Sequence, residues 1–218
     1  MSGVTRKAGG FAVAVAAWLA LSVVLASAAS TTDSDDHYKP ASTLIKAKST
    51  KTVATAASGI TLTCTNSTTS GKTPATGLGV FATSAPKFND GYTSTGAAKP
   101  CTDSAGGTDV ITTSGTWRVG FIDAAGDESV SEPNTGDRLK IVIPQGGAVD
   151  HNSFGCVITL APSAAFTLVG AYNDISKVTF NVKNVPASVS GPSFCSPGTS
   201  TGTFQAVYTL SPGLSDAS

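Results

Sequence analysis

The chain has 218 residues with 14 basic and 14 acidic side chains, and charged residues make up only 13% of it. So sparse and balanced a charge leaves no basic footprint for nucleic acid or for an anionic membrane surface. Hydrophobic residues at 40% and 23 glycines fit a globular domain whose solubility rests on hydroxyl groups more than on charge.

In chain order, residues 1–28 read as a cleavable signal helix. Arg6 and Lys7 make a short basic start, Phe11 to Leu25 is apolar, and Ala26-Ser27-Ala28 offers small residues at −3 and −1. The apolar run falls short of the ~20 residues that a spanning helix needs, so no membrane span is expected after cleavage. Arg6-Lys7 is not a twin-arginine pair and no cysteine directly follows the run, which points to the general secretion route without a lipid anchor. The expected location is secreted or extracellular, with retention at the cell wall as the variant of it.

Residues 29–50 are a Ser/Thr-rich lead-in with neither period 2 nor period 3.6, expected to be flexible and disordered. From residue 51 to 218 short apolar stretches alternate with turn residues, as expected of a single domain. Trp117, Val119 and Phe121 alternate with Arg118 and Gly120, and Leu139, Ile141 and Ile143 with Lys140 and Val142. Cys156, Ile158 and Leu160 form another stripe, followed by Phe166, Leu168 and Tyr172, then Val178, Phe180 and Val182, then Phe204, Ala206, Tyr208 and Leu210. Period-2 runs of β-branched and aromatic residues bounded by Gly, Pro, Asn and Asp are strands. With no helical stripe after the signal, the expected fold is all-β: an antiparallel β-sandwich or a flattened barrel.

Between Thr83 and Gly115 loop-formers crowd together, among them Asn89-Asp90-Gly91 and Lys99-Pro100. Long loops of this kind are either functional or mobile, so a binding surface is sought here first. Tyr92, beside Gly91, is the aromatic side chain best placed for exposure, and Asn89 and Asp90 just before it complete the candidate surface.

Four cysteines allow three pairings, and in an exported chain they are read as disulfides. Neighbour pairing, Cys64–Cys101 with Cys156–Cys195, closes two loops of similar size and joins a strand-like run to a Pro/Gly-rich loop in each case. Each link would remove about 4 kcal/mol of unfolded-state entropy, less any strain. The competing pairing is Cys101–Cys156 with Trp117 between them, as in an immunoglobulin domain. There, however, the corner tyrosine is replaced by Phe154. Neighbour pairing is favoured. No cysteines have the short spacing of a zinc site.

Chemistry-bearing constellations are weak. His37 lies in the lead-in, and His151 sits in a turn-like link with no Gly-x-Ser-x-Gly elbow anywhere, so a Ser-His-Asp hydrolase lacks its parts. Asp123, Asp127, Glu128 and Glu132 cluster after the Trp117 strand, but they fit a solvated hairpin connection better than the paired carboxylates of a glycosidase. Neither this cluster nor Asp33, Asp35 and Asp36 follows the ligand spacing of a calcium loop. Trp117, Tyr172 and Tyr208 sit at apolar-stripe parity, which makes them core rather than a sugar-stacking platform. No cofactor is implied.

Three stretches carry a resemblance: Thr61-Leu62-Thr63-Cys64-Thr65-Asn66-Ser67 with its continuation to Gly71, Gly155-Cys156-Val157-Ile158-Thr159-Leu160-Ala161-Pro162 with Gly170-Ala171-Tyr172-Asn173, and Phe204 to Pro212. In these the chain resembles a set of uncharacterised secreted actinobacterial proteins. They bear signals and four cysteines, are rich in Ser, Thr and Gly, and are all-β. The Gly/Pro-rich insert between Phe88 and Cys101 departs from that pattern, and the resemblance brings no catalytic residues. The expected function is a secreted or envelope-associated, non-enzymatic β domain. Its partner would be cell-wall polysaccharide or another envelope protein, and the alternatives are a carbohydrate-binding module or, further off, a secreted hydrolase.

Overall fold

A computed structural model describes residues 38–76, 79–122 and 138–216. The expected signal helix, the start of the lead-in with His37, and the Asp123–Glu132 cluster lie outside the described residues. All described strands belong to one contact unit.

The strands in chain order are β1 (Tyr38–Lys39), β2 (Leu44–Ser49), β3 (Thr52–Thr55), β4 (Thr61–Cys64), β5 (Asn66–Lys72) and β6 (Phe81–Thr83). Then come β7 (Lys87–Asn89), β8 (Cys101–Asp103), β9 (Thr108–Thr113), β10 (Trp117–Ile122), β11 (Arg138–Ile143) and β12 (Ala148–Asn152). Last are β13 (Val157–Leu160), β14 (Phe166–Asp174), β15 (Lys177–Ser190), β16 (Gly198–Ser211) and β17 (Ser215–Asp216), with a single 3-10 turn at Ser193–Cys195. The fold is all-β, and the described residues contain no α-helix.

Strands β2 to β16 form one continuous antiparallel sheet, while β1 and β17 pair separately. Extra pairings of β2 with β5 and of β15 with β16 close that sheet on itself. Two circuits result, and both contain β15 and β16. One runs through β2, β5, β6, β10, β11, β14, β15 and β16, the other through β3, β4, β8, β9, β12, β13, β15 and β16. The sandwich and flattened-barrel expectations meet in this arrangement, since closure removes most of the free strand edge.

The first circuit packs most tightly around Phe121, Tyr172 and Val178. Trp117, Val119 and Phe121 of β10 point inward, as do Leu168 and Tyr172 of β14, Val178 and Phe180 of β15, and Tyr208 and Leu210 of β16. Phe121 stacks on Tyr172 at 5.3 Å, and Phe180 meets Tyr208 edge-on at 6.1 Å. Gly170 makes room for this packing, because a Cβ there would lie 2.8 Å from both Phe180 and Val178 side-chain atoms.

One long ribbon links the two circuits. In β15 and β16, each 14 residues long, the register shifts between Val182 and Val185. Val182 faces Phe204 and Val185 faces Gly202, so β15 carries one extra residue, a β-bulge. Asn184 adopts a left-handed conformation there (φ 57°), which Asn tolerates better than most residues. The bulge flips inward parity from Val178 and Phe180 to Val185 and Ala187.

The flexible lead-in expected through residue 50 ends earlier than that. Leu44–Ser49 is a strand held on both sides, by β16 and by β5, with Ile45 buried and Lys46 exposed. Its inward Ile45 and Ala47 are separated by Lys46 and followed by Lys48, and two apolar residues make a faint stripe.

Candidate functional site

Several apolar inward residues of the second circuit are only half-buried, although Ala148, Val185 and Ala187 are buried. Leu62 of β4, Ile111 of β9, Ile158 of β13 and Val189 of β15 all line a cavity of about 410 Å³ without being fully covered. That volume lies within the ~300–1,000 Å³ range of small-molecule sites. On the second circuit's side the lining is small or medium (Ala54, Leu62, Ile111, Ile158, Ala187), and Trp117, Leu168, Phe180 and Tyr208 wall it on the side of the first circuit. A closed circuit of fixed circumference lined by small side chains leaves a hollow.

The registers place four hairpin tips at one end of this circuit. They are the turns β3–β4, β8–β9 and β12–β13 and the connection from β15 to β16. Adjacent tips are laced together: Ser104 N–H donates to the Thr61 carbonyl and Ser153 N–H to the Thr108 carbonyl. Thr61 N–H in turn donates to Ser104 Oγ and Thr108 N–H to Ser153 Oγ, at 3.0 Å each. Cys156–Cys195 joins the β12–β13 hairpin to the 3-10 turn of the last connection, and Cys64–Cys101 joins β4 to β8. The immunoglobulin-type pairing of Cys101 with Cys156 is thereby overturned, and Phe154 stands exposed at a hairpin tip. Ile60, Phe154 and Phe194 belong to three of the tips. All line the cavity and all are exposed, Phe194 by 68%.

Three carboxyl groups enter this apolar wall. Asp109 and Asp150 are 2% and 8% exposed, and with Asp103 and Asn152 they line the cavity. On β9, Asp109 shares a face with Ile111; on β12, Asp150 and Asn152 share the inward face while His151 is exposed. Asn152 Nδ2 donates to Asp103 Oδ2 at 2.5 Å and to Asp109 Oδ1 at 2.9 Å. Asp103 Oδ1 accepts the N–H groups of Ala105 (2.8 Å) and Gly107 (2.7 Å).

Burial raises the pKa of Asp150 to about 8, and the neighbouring charge of Asp109 adds to the effect. Burial likewise raises Asp109, against the lowering effect of its hydrogen bond from Asn152. Each of Asp109 and Asp150 feels the other's charge, so the two do not ionise together, and at neutral pH Asp150 holds the proton. Asp109 Oδ2 and Asp150 Oδ1 receive no donor from any other described residue. No group of three or more His, Cys, Asp or Glu among the described residues is arranged to hold a metal ion.

The residues first considered for binding are placed elsewhere. Tyr92 is 54% exposed, bridged to Ala98 in a small hairpin extension beyond β7. Asn89 is only 4% exposed, and its Oδ1 accepts from Asn66 Nδ2 and Gly91 N–H, so it fixes the turn instead of facing solvent. Asp90 Oδ1 accepts the Thr65 N–H at 2.7 Å. Trp117, Tyr172 and Tyr208 are core, with Trp117 Nε1 donating to the Ser114 carbonyl and the Tyr208 hydroxyl bonded to Ser67 Oγ.

Asp103, Asp109 and Asp150 were not singled out by sequence reasoning. The available signal was parity: Asp109 lies two residues before Ile111, and Asp150 two after Ala148, each at an inward position. No protein-family model, curated protein or solved structure matches this chain.

Proposed function

We propose that this protein is an exported, non-enzymatic β domain that binds an apolar small molecule in the hollow of its second strand circuit. The observation that carries the reading is an apolar cavity of about 410 Å³ inside the closed sheet, walled by both circuits and opening at the hairpin tips of the second. Interiors normally pack to the density of organic crystals, and an apolar void forfeits contacts on all its walls. A wall of half-buried Leu62, Ile111, Ile158 and Val189, opening between exposed Ile60, Phe154 and Phe194, gains those contacts when a ligand enters.

Export is supported by the basic, apolar and small-residue order of residues 1–28 and by two disulfides, which persist in oxidising compartments. No helix among the described residues is long and apolar enough to cross a membrane. Kinship with secreted actinobacterial proteins remains part of this proposal and rests on the quoted stretches alone. An envelope role fits such a carrier, with the ligand drawn from or delivered to the cell envelope. Cell-wall polysaccharide is a weaker candidate ligand, since Tyr92 stands without a second exposed aromatic ring of Trp or Tyr among the described side chains.

Fluorescence titration of the purified protein with a neutral naphthyl dye tests the reading. Saturable binding at one site per chain, displaced by decanol and lost in Ile111→Trp, is expected. A folded protein that neither enhances the dye's emission nor binds decanol would refute it.

A further inference from the structure

We infer that the hollow selects an amphiphilic cation, a molecule whose apolar body fills the cavity and whose protonated amine sits against Asp109 and Asp150. This rests on the binding role proposed above and adds the class of ligand.

Charge in the wall comes first. Asp103, Asp109 and Asp150 line the cavity, and no Lys, Arg or His is among the described residues lining it. A fatty acid or a phosphate headgroup would bring an anion beside these carboxyls with no counter-charge, which burial in an apolar wall penalises.

Free valence comes second. Both oxygens of Asp103 are occupied, one by Ala105 and Gly107 N–H groups and the other by Asn152. Asp109 Oδ1 is also held by Asn152. What remains is Asp109 Oδ2 and Asp150 Oδ1, buried and without a donor from other described residues. A buried acceptor left short of donors is costly, so these two oxygens favour a ligand that supplies N–H groups.

Position comes third. Asp150 lies directly opposite Ile111 on β9 and Ile158 on β13, so its carboxyl is inserted into the apolar belt instead of standing at the rim. A ligand that reaches it must pass or pack along these side chains, which demands an apolar body next to the amine. Keeping one proton is how the pair avoids two buried charges when empty. An ammonium supplies the counter-charge, lets Asp150 ionise, and displaces that proton to solvent.

Calorimetric titration of the purified protein near neutral pH, with decylamine, decanol and decanoate below their aggregation limits, tests this. Decylamine is expected to bind at least tenfold more tightly than decanol, and decanoate more weakly than either. Ethylamine, which has the charge without the body, is expected not to compete. Repeating the amine titration in buffers of different ionisation enthalpy should reveal proton release that decanol does not show. Asp150→Asn and Asp109→Asn should each bring decylamine down to the affinity of decanol while leaving decanol unchanged. Equal affinity for the three headgroups would overturn the inference and leave the apolar site standing. An amine preference that survives both substitutions would overturn the assignment to this pair. Failure of decanol and of the naphthyl dye alike would instead refute the binding role itself.

Discussion

Asp150 contributes the largest pH response of the described residues. Its carboxyl keeps a proton up to about pH 8 in the native state, but in the unfolded chain releases it near 3.8. Between these values the folded protein binds more protons than the unfolded one, so stability falls as pH rises through that window. The raised pKa of Asp109 acts in the same sense. Asp150→Asn, which keeps the shape and removes that group's titration, should weaken the dependence. Urea midpoints at about pH 5 and about pH 8.5 would show it: a clear drop for the native protein and a smaller one for the variant, in which Asp109 still titrates. Asn184 sets a different constraint, of backbone rather than charge. Its left-handed φ of 57° should accept glycine with little change, whereas Asn184→Val should cost ~1–2 kcal/mol, read as a shift in the unfolding midpoint.

Elements differ in how visibly the sequence announces them. Strand β10 is plain, because Trp117, Val119 and Phe121 alternate with Arg118 and Gly120 and the large side chains do go inward. Strand β2 is not, because Lys46 and Lys48 interleave with its two inward side chains and its pairing partners, β5 and β16, are far along the chain. The second half of β15 is obscured by the bulge: the alternation of Val178, Phe180 and Val182 breaks at Lys183, and Val185 and Ala187 resume on the other parity. The loop-rich middle hides short strands, β7, β8 and β9, whose order comes from cross-chain pairing and from Cys64–Cys101. The carboxyl pair is obscure for a related reason. Asp109 and Asp150 are distant in sequence, and only the pairing of β9 with β12 brings their faces together. At this scale the Cys156–Cys195 link has a local role, since it ties two hairpin tips of the mouth. Replacing both cysteines by alanine should cost about 4 kcal/mol, less any strain relieved, and should speed amide exchange most at residues 153–157 and 190–198.

Across the whole molecule, the interior has a tightly packed part and an open part with opposite tolerances. In the packed part Val178 is fully buried, so Val178→Trp should cost about 1–3 kcal/mol by overpacking. In the open part Ile111→Trp has room to enter, and should leave the unfolding midpoint within about 0.5 kcal/mol of the parent while blocking the cavity. Thermal unfolding of the two variants side by side separates these cases. Composition and alternation announced an all-β domain; the hollow was not legible, because it depends on strand closure, which no local pattern records. The central claim is that the second circuit receives a ligand. Methyl-resolved NMR during a decanol titration tests it most directly. The account predicts shifts at Leu62, Ile111, Ile158 and Val189 with little change at Val178 and Val182. Shifts confined to the outer surface, or spread evenly through both circuits, would contradict it.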